Sequence, residues 1–178
     1  MAAETNSGKG LIAVFTGNGK GKTTASLGLL MRAAGYGHQV CMIQFIKGKD
    51  DCGEHRSLRL FASAEIHTLG RGLTWQSDNI EKDIRLAQEA WEFAREKILS
   101  ARYRLVILDE LTYLINYKMV AEQEILACLK ARHKGMHIVI TGRDASCGLI
   151  EAADLVTEMK EIKHPYQQGV KAQKGFEF

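Results

Sequence analysis

The strongest constraint on this chain is a join between two kinds of sequence. The apolar run Leu11–Phe15 (LIAVF) passes straight into TGNGKGKTT, Thr16–Thr24, with glycines at 17, 19 and 21 followed by Lys22, Thr23 and Thr24. A short, wholly apolar run is the pattern of a strand buried on both faces of a parallel sheet. The residues after the glycines, KTTASLGLLMRAAGYG, read as a helix. Strand, glycine loop and helix in that order make an anion cradle. Glycines let main-chain N–H groups approach a phosphate closely, and a helix start adds unpaired N–H groups and partial positive charge. Lys22 supplies a full charge, and Thr23 offers a hydroxyl to Mg²⁺. The candidate phosphate-binding residues are therefore Gly17, Asn18, Gly19, Lys20, Gly21, Lys22, Thr23 and Thr24. The spacing is unusual. The common pattern G-x-x-x-x-G-K-[ST] would place glycine at position 16, where Thr16 stands, so this loop is one residue shorter. A dinucleotide site fits worse: its third glycine would fall at Lys22, and Ile46 and Lys47 stand where an acidic residue belongs.

The alternation continues along the chain. QVCMIQF (Gln39–Phe45), AEIHTL (Ala64–Leu69), RLVILDE (Arg104–Glu110), MHIVITGR (Met136–Arg143) and DLVTEMKEI (Asp154–Ile162) read as strands. The first helix places Leu27, Leu30, Met31 and Ala34 on one face and ends at Gly35 and Gly37. In DNIEKDIRLAQEAWEFAREKILS, Ile80, Ile84, Ala87, Trp91, Ala94 and Ile98 step by four and three, which puts Trp91 in the core. Asp78 and Glu81 suit a capping box at its start. AEQEILACLKARH is a further helix and SCGLIEAA a short one. Lys47–Ser57 reads as a polar loop, and Lys47–Ala62 is the longest stretch without clear periodicity. Apolar strands alternating with helices specify an α/β fold, a mainly parallel sheet with helices on both faces. No repeat or composition break divides it, so residues 10–178 are expected to form one domain behind a short polar segment, 1–9.

Bulk properties exclude several classes. No apolar run approaches the roughly 18 residues of a membrane span, and MAAETNSGKG has no basic start followed by an apolar stretch. The expected setting is cytoplasmic. The 24 basic residues are scattered among 21 acidic ones for a net charge of +3, whereas a strong nucleic-acid binder neutralises about 6–10 phosphates with a clustered basic face. A small polyanion is the better partner. Cys41, Cys52, Cys128 and Cys147 form no C-x-x-C and read as free thiols. His133 and His137 flank Gly135 at a helix end and read as structural or surface residues.

Other candidates lie at strand ends, on the edge where open α/β sheets bind ligands. LVILDE ends in Asp109 and Glu110, carboxylates placed to hold Mg²⁺ directly or through water; the alternative is a pair capping the next segment. Arg143 in ITGR and Lys47 in QFIKG either brace a phosphate or make surface ion pairs. GRGLTWQ sets Leu73 and Trp75 among glycines, outside periodic structure. It reads either as an apolar patch for a large flat ligand or as a loop tryptophan tucked into the core.

Taken in order, GNGKGKTT, QFIKG, G-x-T-W, LDELTY, ITGR and the closing GVKAQKGFEF resemble the ATP:corrinoid adenosyltransferases, over Gly10–Phe178. The resemblance implies a single P-loop NTPase-like (RecA-like) domain, usually a homodimer. It implies transfer of the 5′-deoxyadenosyl group of ATP to the cobalt of a corrinoid, with release of triphosphate. It further implies ATP held in reverse, the γ-phosphate deep in the short loop and the ribose C5′ outward; Mg²⁺ (or Mn²⁺) near Thr23 and Glu110, with Asp109 acting through water; and a reduced flavoprotein as electron donor. In the family, aromatic residues of G-x-T-W displace the lower axial ligand of cobalt. Trp75 matches one, and Leu73 stands where some members have phenylalanine. Lys22 and Arg143 fall on the triphosphate side. Two other readings are an ordinary phosphotransferase or ATPase, which would release ADP or phosphate, and a nucleotide-dependent corrinoid carrier without turnover.

Overall fold

The apolar runs become the strands of one sheet. The structure is a computed structural model that describes residues 8–48, 52–70 and 80–177. In chain order, β1 is Ile12–Thr16, β2 Val40–Gln44, β3 Ala64–Thr68, β4 Leu105–Asp109, β5 His137–Thr141 and β6 Leu155–Glu158. Every pairing is parallel and the spatial order is β3-β2-β4-β5-β1-β6. The helices are α1 (Lys22–Gly35), α2 (Gly53–Leu58), α3 (Ile80–Leu99), α4 (Thr112–Asn116), α5 (Glu122–Ala131) and α6 (Cys147–Ala152).

Period-two alternation sends each strand's side chains to opposite faces. Val40, Met42, Leu105, Ile107 and Val139 meet Leu30 of α1 and Leu58 of α2. Cys41, Ile43, Val106, Leu108, Ile138 and Ile140 meet Trp91, Ala94 and Ile98 of α3, Ile125 and Leu129 of α5, and Leu149 of α6. With both faces covered, the central strands have no polar side to show, which is why they read as unbroken apolar runs. Trp91 is buried, and its Nε1 donates to Glu124 Oε1 at 2.7 Å.

Several local expectations change. The buried stripe of α1 is Lys22, Ser26, Leu30 and Ala34, an i, i+4 row, so Met31 turns to solvent. Ile80 is exposed because it opens α3 beyond the reach of the sheet, and the buried stripe begins at Asp83. The stretch expected to be a polar loop contains α2. α4, only five residues, was not expected. The last strand ends at Glu158 instead of running to Ile162 because Met159 is drawn off to the glycine loop: its N–H donates to Thr16 O at 2.8 Å and its carbonyl accepts from Gly19 N at 2.6 Å. Asp78, half of the expected capping box, lies outside the described residues.

Candidate active site

Lys22, first residue of α1, is buried in the floor of the glycine loop. Its ammonium donates to the carbonyls of Gly17 at 2.6 Å and Gly19 at 2.8 Å. Burial lowers its pKa; the carboxylates of Glu110 and Asp109 oppose that shift, and Arg143 adds to it. Gly17 has φ of +91° and Gly21 of +114°, left-handed positions that favour glycine. A Cβ on Gly17 or Gly19 would also lie 2.5 Å or 2.7 Å from the carbonyl oxygen of Met159. The short loop is therefore backed by main chain leaving β6.

The second half of the site is built at the ends of three neighbouring strands. Asp109 at the end of β4 is fully buried. Its Oδ1 accepts from Thr23 Oγ1 at 2.9 Å and Thr141 Oγ1 at 2.8 Å, and its Oδ2 accepts from Gln44 Nε2 at 3.2 Å. Glu110 follows with φ of +63°, a strained angle for a side chain of this kind, and its N–H donates to Thr141 Oγ1 at 2.8 Å. Burial, then the neighbouring Asp109, raises the Glu110 carboxyl's pKa. Glu110 Oε2 is buried without a hydrogen-bond partner among the described residues. An orphaned carboxylate oxygen beside Asp109 and Thr23 is a hard-oxygen donor set of the kind Mg²⁺ takes, so these residues fit such a cation.

The remaining candidates divide. Arg143 is exposed just beyond β5, between Gly142 (φ +143°) and Asp144 (φ +51°), near enough to perturb both Lys22 and Glu110. Asn18, Lys20 and Thr24 line the loop and the start of α1, and Lys20 forms an ion pair with Glu177. Lys47 makes an ion pair with Glu54 in the first turn of α2. Burial alone would lower the Lys47 pKa, but the Glu54 carboxylate outweighs it and raises it. Leu73 and Trp75 lie outside the described residues.

Gln44 and Thr141 were missed by sequence reasoning, although a signal existed: each is the polar last residue of an otherwise apolar strand. Gln44 also holds His55, whose Nε2 lies 2.9 Å from Gln44 Oε1, so α2 is tied to the same cluster.

An apolar cavity adjoins these carboxylates. Phe45, Ile46, Leu69, Gly70, Leu86, Ala87, Ala90, Leu114 and Met119 line it, with the buried acid Asp83 and with Tyr113 and Tyr117, whose rings stack 5.9 Å apart. Phe45 N donates to Asp109 O at 3.1 Å, joining the cavity wall to the cluster. Gly70, where the GRGLTWQ segment begins, is part of the lining.

The sequence as a whole has counterparts among known proteins. The family pattern described as ATP:corrinoid adenosyltransferase BtuR/CobO/CobP matches residues 8–178. The chain belongs to that family. A corrinoid adenosyltransferase of Pseudomonas aeruginosa is 40% identical over 177 residues, covering 99% of this chain and 87% of that protein. One of Sinorhizobium sp is 42% identical over 181 residues, covering 100% and 84%. One of Escherichia coli (strain K12) is 39% identical over 176 residues, covering 99% and 89%. Among solved structures, EssC (ATPases 2 and 3) from Geobacillus thermodenitrificans superposes with a TM-score of 0.51 at 15% identity, covering 96% of this chain and 35% of that one. That likeness concerns the fold alone, and it agrees with a P-loop NTPase-like sheet. The family is one of enzymes, and this adenosyltransferase has no described helix long and apolar enough to cross a membrane.

A second polar cluster lies away from this site. Cys41, Glu65 and His67 sit on β2 and β3 with potential ligand atoms within 4.8 Å of one another. Lys97 and Arg102 already hold Glu65 at 3.3 and 2.9 Å, and burial pushes the Cys41 thiol up to about 12. Two cations and a protonated thiol make this a structural hub and a poor metal site.

Proposed function

We propose that this enzyme transfers the 5′-deoxyadenosyl group of ATP to Co(I) of a corrinoid substrate, forming adenosylcobalamin or a precursor. The observation that carries the reading is the mainly apolar pocket whose wall, through Phe45, joins the strand end that bears Asp109 and Glu110. An apolar wall beside the carboxylates suits an enzyme that presents the sugar's carbon to a large flat substrate.

The short loop binds the triphosphate end-on, γ-phosphate inward, leaving C5′ toward the cavity. Cobalt supplies the electron pair. The Co–C5′ bond forms as the C5′–O5′ bond breaks, and the leaving triphosphate takes that bond's electrons. The protein aligns the two centres and stabilises charge on the leaving group through Lys22, loop N–H groups and Arg143. Thr23, Asp109 and Glu110 would hold Mg²⁺ or Mn²⁺, which when bound neutralises charge on the triphosphate. Leu73 and Trp75 exclude the lower axial ligand, so that a reduced flavoprotein can deliver the electron that makes Co(I). The working unit is a cytoplasmic homodimer, by family expectation.

One product analysis tests this. MgATP and chemically reduced corrinoid should yield adenosylcorrinoid and triphosphate. ADP as the main product would establish a phosphotransferase instead, and binding of both ligands without turnover a carrier. Trp75→Ala should impair the reaction from Co(II) with a protein reductant and spare the reaction from pre-reduced Co(I). Equal loss in both would remove its assigned role.

A further inference from the structure

The chain after β6 is almost wholly exposed. A single 3₁₀ turn, Pro165–Gln168, is capped by His164, whose Nδ1 accepts from Tyr166 N at 3.1 Å. Ile162, Tyr166 and Phe176 stand in solvent at 84%, 77% and 82% exposure. Met159 and His164 are half-buried, and one acid joins them. The Glu177 carboxylate is only 14% exposed, and it lies against the glycine loop in an ion pair with Lys20. A local turn presents it: Glu177 N donates to Gln173 O at 2.9 Å, and Gly175 takes φ of +79°. A polar tail with one largely covered acid, lodged on a phosphate-binding loop, places negative charge where a phosphate oxygen would compete for the same ammonium.

We propose that residues 161–177 form a strap across the phosphate loop and that Glu177 competes with the triphosphate for Lys20. This rests on the reading above that the loop binds triphosphate. Lys20 is the loop's exchangeable cation. Lys22 is locked between two carbonyls, whereas Lys20 is 46% exposed and, among the described residues, is held by this one carboxylate. When triphosphate binds, Lys20 transfers to it and the strap loosens. When chemistry has cut the adenosyl group away, the carboxylate recaptures Lys20 and favours departure of a highly charged product that would otherwise cling to the loop. A site whose competent state is populated for a fraction of the time binds more weakly by that fraction. A partly exposed ion pair holds such a state by a factor of a few.

The test measures binding, not turnover. Dissociation constants of MgATP and inorganic triphosphate are determined by calorimetry for the full chain and for Glu177→Gln, Lys20→Ala and the double variant. The strap predicts that Glu177→Gln binds both ligands about two- to fivefold more tightly, and that the gain disappears in the Lys20→Ala background. Unchanged or weaker binding by Glu177→Gln would overturn the strap while leaving the phosphate-loop reading intact. So would an equal gain in the absence of Lys20. A parent chain that binds neither ligand would overturn both. Thermal melts of each variant check that the fold is kept.

Discussion

Thr141 and Asp109 lie on adjacent parallel strands, and the threonine hydroxyl does two things at once: it donates to Asp109 Oδ1 at 2.8 Å and accepts from the main-chain N–H of Glu110, also at 2.8 Å. One side chain therefore orients one carboxylate and holds the strained turn that carries the other. Thr141→Val keeps the shape and removes the hydroxyl. The Glu110 N–H is then left without its partner, a loss of about 1–3 kcal/mol. The variant should unfold at lower denaturant and bind MgATP about tenfold more weakly, as the turn relaxes. An unchanged denaturation midpoint would show that the hydroxyl holds neither carboxylate.

Lys22 sits in a space made for a compact ammonium, with carbonyls at 2.6 and 2.8 Å. Lys22→Arg keeps the charge but substitutes a planar fork that cannot fit between Gly17 O and Gly19 O. It should cost about 100-fold or more in kcat/KM, as Lys22→Ala also should, because the charge would sit off the leaving triphosphate. Steady-state kinetics at saturating reduced corrinoid check this. Arginine activity within a few-fold of the parent would mean that charge alone matters there.

The legible parts of the molecule were those set by local rules. β1, β2, β4 and β5 are buried on both faces, and burial writes itself as an apolar run. Strand, glycines and Lys22-Thr23 follow one another within a dozen residues, so the strand–loop–helix unit that buries Lys22 was readable at once. α4 and α2 were missed because five or six residues show less than two turns of period. Met31 and Ile80 were assigned to buried faces on apolarity, yet which stripe is buried depends on where the sheet lies. The Gln44–Asp109–Thr141 junction needs three strands brought side by side in order β2-β4-β5. The Lys20–Glu177 pair joins positions 157 apart in the chain. No periodicity encodes a contact of that kind.

Glu65 provides a pH test remote from Asp109 and Glu110. Burial would raise its pKa, but Tyr103, His67 and Lys97 outweigh that and hold it at about 2, against an ordinary 4.5. A depressed carboxylate contributes stability that is present above pH 4.5 and lost as pH falls through about 2. Unscreened, that shift is worth about 3 kcal/mol; with the side chain 28% exposed, screening leaves about 1–2 kcal/mol. Glu65→Gln keeps an acceptor for Tyr103 but loses the ion pairs with Lys97 and Arg102. It should be less stable than the parent at neutral pH and converge with it toward pH 2, as measured by urea midpoints across that range. A gap that stays constant with pH would assign the loss to packing.

The shortness of the glycine loop makes its own prediction through Gly19. A Cβ there would stand 2.7 Å from Met159 O, 2.8 Å from Lys160 C and 2.9 Å from Lys160 O, all main-chain atoms with no rotamer to change. Gly19→Ala must therefore break the 2.6 Å bond from Gly19 N to Met159 O and lift the loop off its backing. Lys22 loses the Gly19 carbonyl in the process, so MgATP affinity should fall at least tenfold while the sheet and core stay intact. Gly28 is the control. It lies on the exposed side of α1 with nothing within 4 Å of a Cβ, so Gly28→Ala should stabilise the protein by about 0.5–1 kcal/mol through helix propensity alone and leave nucleotide binding as it was. If both substitutions left affinity unchanged, the loop would have room that this packing denies it, and its contact with the chain after β6 would not shape the phosphate site.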